Sequence, residues 1–158
     1  MSARSIPSTA STTSTDPDVL LLLDTHVWIW VVEGDARRVG RRTRQLLARA
    51  ESQDALRISP ATVFEVTALH TAGRLGLTRP VDQWILEAVE VGAVRLAPLS
   101  SAVALDAGRI PRAALPDPLD RLLAATARQA DATFVTADAR ILDYAARTGH
   151  LHAHDASA

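Results

Sequence analysis

Five consecutive apolar residues, Val19-Leu20-Leu21-Leu22-Leu23, stop abruptly at Asp24. An unbroken apolar run of this length suits a strand covered on both faces, as in a parallel sheet flanked by helices. Ending it on a carboxylate is costly unless the acid finds a partner or a ligand. Shorter apolar runs follow at Ala55 to Ile58, Val94 to Ala97 and Thr133 to Thr136. Helical patterns separate them. Ala36 to Glu51 carries Val39, Leu46, Leu47 and Ala50 on one side, and Pro60 to about Thr71 stops at Gly73. Pro80 to Val91, Ser100 to Gly108, Leu119 to Ala130 and Ala139 to Arg147 complete the series, the last closed by Gly149. Ser59-Pro60 and Asp117-Pro118 each pair a capping side chain with proline at the first helical position. Strands alternating with helices, without a repeat or second core, predict one α/β domain over residues 19–154. Its central, mainly parallel sheet is flanked by helices.

Thr25 to Val32 is apolar almost throughout and is broken by Glu33-Gly34-Asp35. Trp28 and Trp30 cannot share one helix face, so one is expected in the core and the other at an interface. Residues 1–18 are rich in Ser and Thr, include Pro7 and Pro17, and lack the apolar stretch of a signal peptide. They are read as a disordered leader. No apolar run approaches the roughly 20 residues that a membrane helix needs. The chain has no cysteine, which excludes disulfides and thiolate metal sites and suits a reducing cytoplasm. His150, His152 and His154 alternate like a short strand, and without acidic or thiol partners they are read as tail rather than metal ligands.

Seventeen basic and eighteen acidic side chains give a net charge of -1, which neither points to nucleic acid nor forbids it. Placement says more. Arg37, Arg38, Arg41, Arg42 and Arg44 crowd one stretch, reading equally as a solvated helix face or as a surface toward phosphates. Gly73-Arg74-Leu75-Gly76 reads equally as a loop presenting Arg74 and as a plain helix stop. Four acids fall where the strands of an open parallel sheet collect ligands. Asp24 ends the first strand, Glu65 lies early in the helix after the second, Asp120 opens the helix leading to the fourth, and Asp138 follows the fourth. Asp24, Asp117 and Asp138 could each cap a helix, and for Asp117 capping is the favoured reading. Glu65 has no such role; Ala61, Ala68 and Leu69 around it place it on an inward apolar stripe. Carboxylates without cysteine or a well-placed histidine are the ligand set of hard cations such as Mg²⁺ or Mn²⁺, which commonly serve phosphoryl transfer.

The segments around these acids resemble PIN-domain toxins of the VapC family. Leu21-Leu22-Leu23-Asp24-Thr25-His26-Val27-Trp28 resembles the family's opening, and Ile58 to Val66 its second motif. Asp117-Pro118-Leu119-Asp120-Arg121-Leu122-Leu123-Ala124 resembles the third, and Val135-Thr136-Ala137-Asp138 the fourth. Any one motif is weak, but four in order are specific. The resemblance implies a PIN fold and Mg²⁺- or Mn²⁺-dependent endoribonuclease activity on RNA. It also implies a homodimer and a VapB-like antitoxin partner. It implies catalytic Asp24, Glu65, Asp120 and Asp138, with Asp24 and Asp120 as metal ligands and Thr136 and Asp117 as accessory groups. Related sequences often carry a basic or histidine-containing lead-in before the third motif; here Ala114-Leu115-Pro116 stands there. The alternatives are a PIN-fold nuclease outside toxin systems and a non-catalytic PIN binding module. A haloacid-dehalogenase-like phosphatase is disfavoured, since His26 stands where a second aspartate is wanted and the chain has no lysine.

Overall fold

The computed structural model describes residues 19–35 and 37–158; the expected leader over residues 1–18 lies outside the described residues. In chain order the elements begin with β1 (Leu21–Leu23), α1 (Thr25–Glu33), α2 (Arg41–Ser52), β2 (Leu56–Ile58), α3 (Pro60–Thr71) and α4 (Val81–Glu90). They continue with β3 (Val94–Leu96), α5 (Ser101–Arg109), α6 (Pro118–Gln129), β4 (Thr133–Thr136), α7 (Ala139–Thr148) and β5 (Ala153–Asp155). The strands form one sheet in the order β3-β2-β1-β4-β5, and every pairing is parallel.

Alternation along the strands divides the core between the two faces of the sheet. Leu21, Leu23 and Val135 pack with Val27 and Trp28 of α1, Leu47 of α2 and Trp84 of α4. Leu22 and Phe134 pack instead with Leu123 and Ala127 of α6 and Ile141 and Tyr144 of α7. The three leucines of β1 are fully buried, as the unbroken run requires of a central strand. Trp28 is the core tryptophan, its ring edge-on to Trp84 at 5.0 Å. Leu115, from the atypical lead-in to the third motif, is fully buried in the second cluster, so that segment serves packing.

Two elements depart from the sequence pattern. The helix expected from Ala36 begins instead at Arg41, with Gly40 as its extended N-cap. Val39 continues the apolar spacing but is buried ahead of the helix. The cause is the segment Ala156 to Ala158, which docks here. Gly40 N–H donates to the Ala156 carbonyl at 2.8 Å, and a Cβ on Gly40 would overlap the Ala158 carbonyl. Fully buried Thr43 fastens the same segment, with Oγ1 bonded to His154 Nε2 at 2.8 Å and to the Asp155 carbonyl at 3.2 Å. The second departure is β5, which spans Ala153–Asp155 rather than starting at His150. Pairing with β4 sets its position, Val135 opposite His154, and His150 and His152 stay exposed outside the strand.

Helix ends follow the local chemistry. Gly34 closes α1 in the left-handed region, at φ 71°, with its N–H bonded to the Trp30 and Val31 carbonyls. After α3, Gly73 takes φ 68° and Arg74 N–H returns to the Leu69 carbonyl at 2.9 Å. Gly73-Arg74 is thus a helix stop.

Candidate active site

From β1 the chain steps outward through β2 to β3, then returns to the other side of β1 for β4 and β5. The switch point lies between β1 and β4, where connections leaving in opposite directions open a crevice beyond the strand ends. Asp24 follows β1 there and Asp138 stands two residues beyond β4. The ladder aligns them. Leu23 pairs with Val135, and Asp24 N–H extends the pattern by donating to the Val135 carbonyl at 2.9 Å. One step on, the fully buried Thr136 donates from Oγ1 to Asp24 Oδ2 at 2.6 Å. The same hydroxyl accepts from Asp138 N–H at 3.0 Å. Thr136 therefore fixes two of the acids relative to each other.

Glu65 enters from α3, which starts as the sequence expects, with Ser59 Oγ accepting from Ala61 N–H at 3.0 Å ahead of Pro60. Thr25 Oγ1 donates to Glu65 Oε2 at 2.5 Å and lies 3.2 Å from Thr62 Oγ1. Glu65 is half-buried at the edge of the crevice rather than on a uniformly inward stripe: Ala61 is buried, but Ala68 is exposed. Sequence reasoning does not single out Thr25 or Thr62, because their roles exist only once α1 packs on α3.

Asp117 caps α6, its Oδ1 accepting from Leu119 N–H at 2.8 Å, as capping chemistry predicts. One turn in, Asp120 faces the other acids. Burial, then the charges of Asp117, Asp24, Asp138 and Glu65, push its carboxyl up to about 7. Burial likewise raises Asp24, against hydrogen bonds from Thr136 and Thr25 that favour its charged form. Capping and clustering coexist. Asp24 Oδ1 accepts from Thr25 N–H at 2.8 Å, and Asp138 Oδ1 from Arg140 N–H at 2.8 Å.

These five carboxylates line one cavity of about 310 Å³, with His26 and Trp30 at its rim. His26 is exposed, its ring 6.4 Å from that of Trp30, and no hydrogen bond ties it to a described residue. A larger cavity of about 590 Å³ lies between α1 and α4, lined by Trp28, Val31, Trp84 and Val91. Arg79 and Glu87, two of its three charged lining residues, pair with each other. The smaller cavity is the candidate site, because its carboxylates share one sign of charge and no arginine is among its described lining residues.

The donor set fits a hard divalent cation: oxygen only, several carboxylates, and mutual repulsion that a cation would offset. As the side chains lie, no group of three or more His, Asp or Glu among the described residues is spaced to hold an ion. The fit is one of chemistry, and closing the site needs rotamer movement of carboxylates that repel one another.

A wholly parallel α/β sheet with a carboxylate crevice at its switch point defines the class. The narrower assignment follows from comparison with known proteins. Residues 21–147 match the PIN domain family. The chain is 31% identical over 121 residues to the ribonuclease VapC22 of Mycobacterium tuberculosis, covering 77% of this chain and 88% of that protein. The chain belongs to the PIN-domain family. Among solved structures, it is similar in fold to the VapBC2 complex of Rickettsia felis bound to a promoter DNA fragment. That match has a TM-score of 0.62 and 14% identity and covers 87% of this chain and 98% of the other. It is also similar to DNA-bound VapBC of Salmonella typhimurium, with a TM-score of 0.59, 20% identity, and the same coverage of 87% and 98%.

Proposed function

We propose that Asp24, Glu65, Asp120 and Asp138 form the catalytic centre of a Mg²⁺- or Mn²⁺-dependent endoribonuclease, the toxin of a VapBC-like toxin–antitoxin pair. The observation that carries this reading is the gathering of Asp24, Glu65, Asp117, Asp120 and Asp138 on one cavity, where burial first and then the charges of the other four acids push the Asp120 carboxyl up to about 7. A cluster so costly to charge is accounted for by a cation that uses the charge. Asp24 and Asp120 are the direct ligands in this reading, with Glu65 and Asp138 completing the site. A bound Mg²⁺ or Mn²⁺ supplies Lewis acidity toward a phosphate oxygen and acidifies water.

The protein's own groups do the positioning. Thr136 orients Asp24 through Oδ2, and Thr25 N–H holds Oδ1. Thr25 Oγ1 restrains Glu65 through Oε2, so Oε1 is the acceptor available to a water attacking phosphorus. Hydrolysis adds that water's oxygen to phosphorus and breaks one bridging P–O bond; the water's proton passes to a carboxylate, and the departing ribose oxygen takes up a proton to leave as a hydroxyl. Asp117, already committed to its cap, acts through its charge on Asp120.

The remaining parts of the reading follow from the family. The chain acts as a homodimer in the cytoplasm, and a VapB-like partner inserts an arginine among the carboxylates. Among the described residues, no helix is long and apolar enough to cross a membrane. The test is cleavage of total RNA with Mg²⁺ or Mn²⁺ by wild type and Asp24→Asn. Wild type cuts and EDTA stops it; Asp24→Asn loses nearly all activity while melting no lower than wild type without metal. Asparagine caps a helix as well as aspartate does and removes a charge that burial disfavours. Cleavage indifferent to EDTA, or undiminished in Asp24→Asn, contradicts the reading.

A further inference from the structure

Three tryptophans occupy two environments. Trp28 and Trp84 are 1% and 2% exposed, whereas Trp30 is half-buried and reaches the rim of the acidic cavity beside His26. The two rings are 6.4 Å apart and tilted by 52°. The exposed Arg38 lies 5.4 Å from the centroid of the Trp30 ring and is held by Asp35 at 3.1 Å. Trp30 also walls a neighbouring hollow of about 230 Å³ that runs to Val39 and Leu47.

The surroundings add charge of the right sign. Arg37, Arg38, Arg41 and Arg42 are all exposed, and two of them occupy the first turn of α2, where the helix dipole disfavours cations. Carboxylates in the cavity repel a phosphate backbone, so a strand reaching them needs an anchor just outside. An aromatic ring offers stacking to any base, and adjacent arginines offer ion pairs to its phosphates.

We propose that Trp30, with His26 and Arg38 beside it, is a stacking platform for an unpaired nucleobase next to the scissile phosphate of single-stranded RNA. The inference rests on the ribonuclease reading and adds to it the side chain that seats the base beside the scissile phosphate. A duplex keeps its base faces stacked internally and cannot use the platform.

Tryptophan emission tests this directly, since two of the three rings are shielded from any ligand. The Asp24→Asn protein is titrated with a short single-stranded oligoribonucleotide and with the same strand annealed to its complement. The single strand quenches emission, the duplex does not, and Trp30→Phe in the same background removes the quench. Trp30→Ala weakens single-strand binding about ten-fold, and Trp30→Phe, which keeps a ring, weakens it less. Equal quenching by duplex, unchanged affinity in Trp30→Ala, or no binding of either RNA overturns the proposal. RNA cleavage by wild type whose KM is indifferent to Trp30 sinks the platform alone. Trp30-dependent binding by a protein that cuts no RNA sinks the nuclease reading alone.

Discussion

Asp120 is the residue on which the energetics of the crevice concentrate. An aspartate in an unfolded chain loses its proton near 3.8, while folded Asp120 keeps its proton to about 7. Between those values the folded state binds more protons than the unfolded state. The residue's favourable contribution is therefore complete below about 3.8 and is lost as pH rises through about 7. Asp24, shifted in the same direction by burial, adds to the same trend. Without metal, the melting temperature of wild type should fall between pH 5 and pH 8 by more than that of Asp120→Asn. Mg²⁺ or Mn²⁺ should restore wild type at pH 8 and do little at pH 5, where protons compete for the ligands. Thermal melts of both proteins with EDTA or metal check this; identical pH profiles would mean that Asp120 is not under the strain described.

At the scale of elements, α2 and the residues from β5 to Ala158 lock together. Gly40 is where they meet, its N–H bonded to Ala156 and its missing Cβ making room for Ala158. Gly40→Ala should lower stability by about 1–3 kcal/mol through overpacking. It should also speed amide exchange at β5, while leaving α6 and α7 protected. An unchanged melting temperature would show that the terminal segment yields without cost. This contact also marks the limit of what the sequence reveals. The strands β1 to β4 and the starts of α3 and α6 are legible because apolar runs, Ser59-Pro60 and Asp117-Pro118 are local signals. The start of α2 is not, because Val39 keeps helical spacing while serving a tertiary contact. Nor is the place of β5, which depends on Phe134, Val135 and Thr136 across the sheet rather than on its own alternation. Within the site, Asp24 and Asp138 are legible as strand-end acids. The pairing of Thr25 with Glu65 across α1 and α3 is not, since 40 residues separate them in sequence.

For the whole molecule, charge is nearly balanced in number and uneven in place. A net charge of -1 conceals five carboxylates gathered at one crevice and a band of exposed arginines at the nearby start of α2. The parallel sheet makes this arrangement possible. Every strand points its carboxyl end the same way, so acids distant in sequence arrive at one edge. The account's central claim is that these acids gather to hold a divalent cation for cutting RNA. Its most direct test is the anomalous diffraction of crystals soaked in Mn²⁺. The account predicts a peak inside the acidic cavity, bonded to oxygens of Asp24 and Asp120 at roughly 2.1 Å. A fully soaked crystal with no peak there, or with the Asp24 and Asp120 carboxylates more than about 8 Å apart in every copy, would contradict it, since no single ion spans that distance.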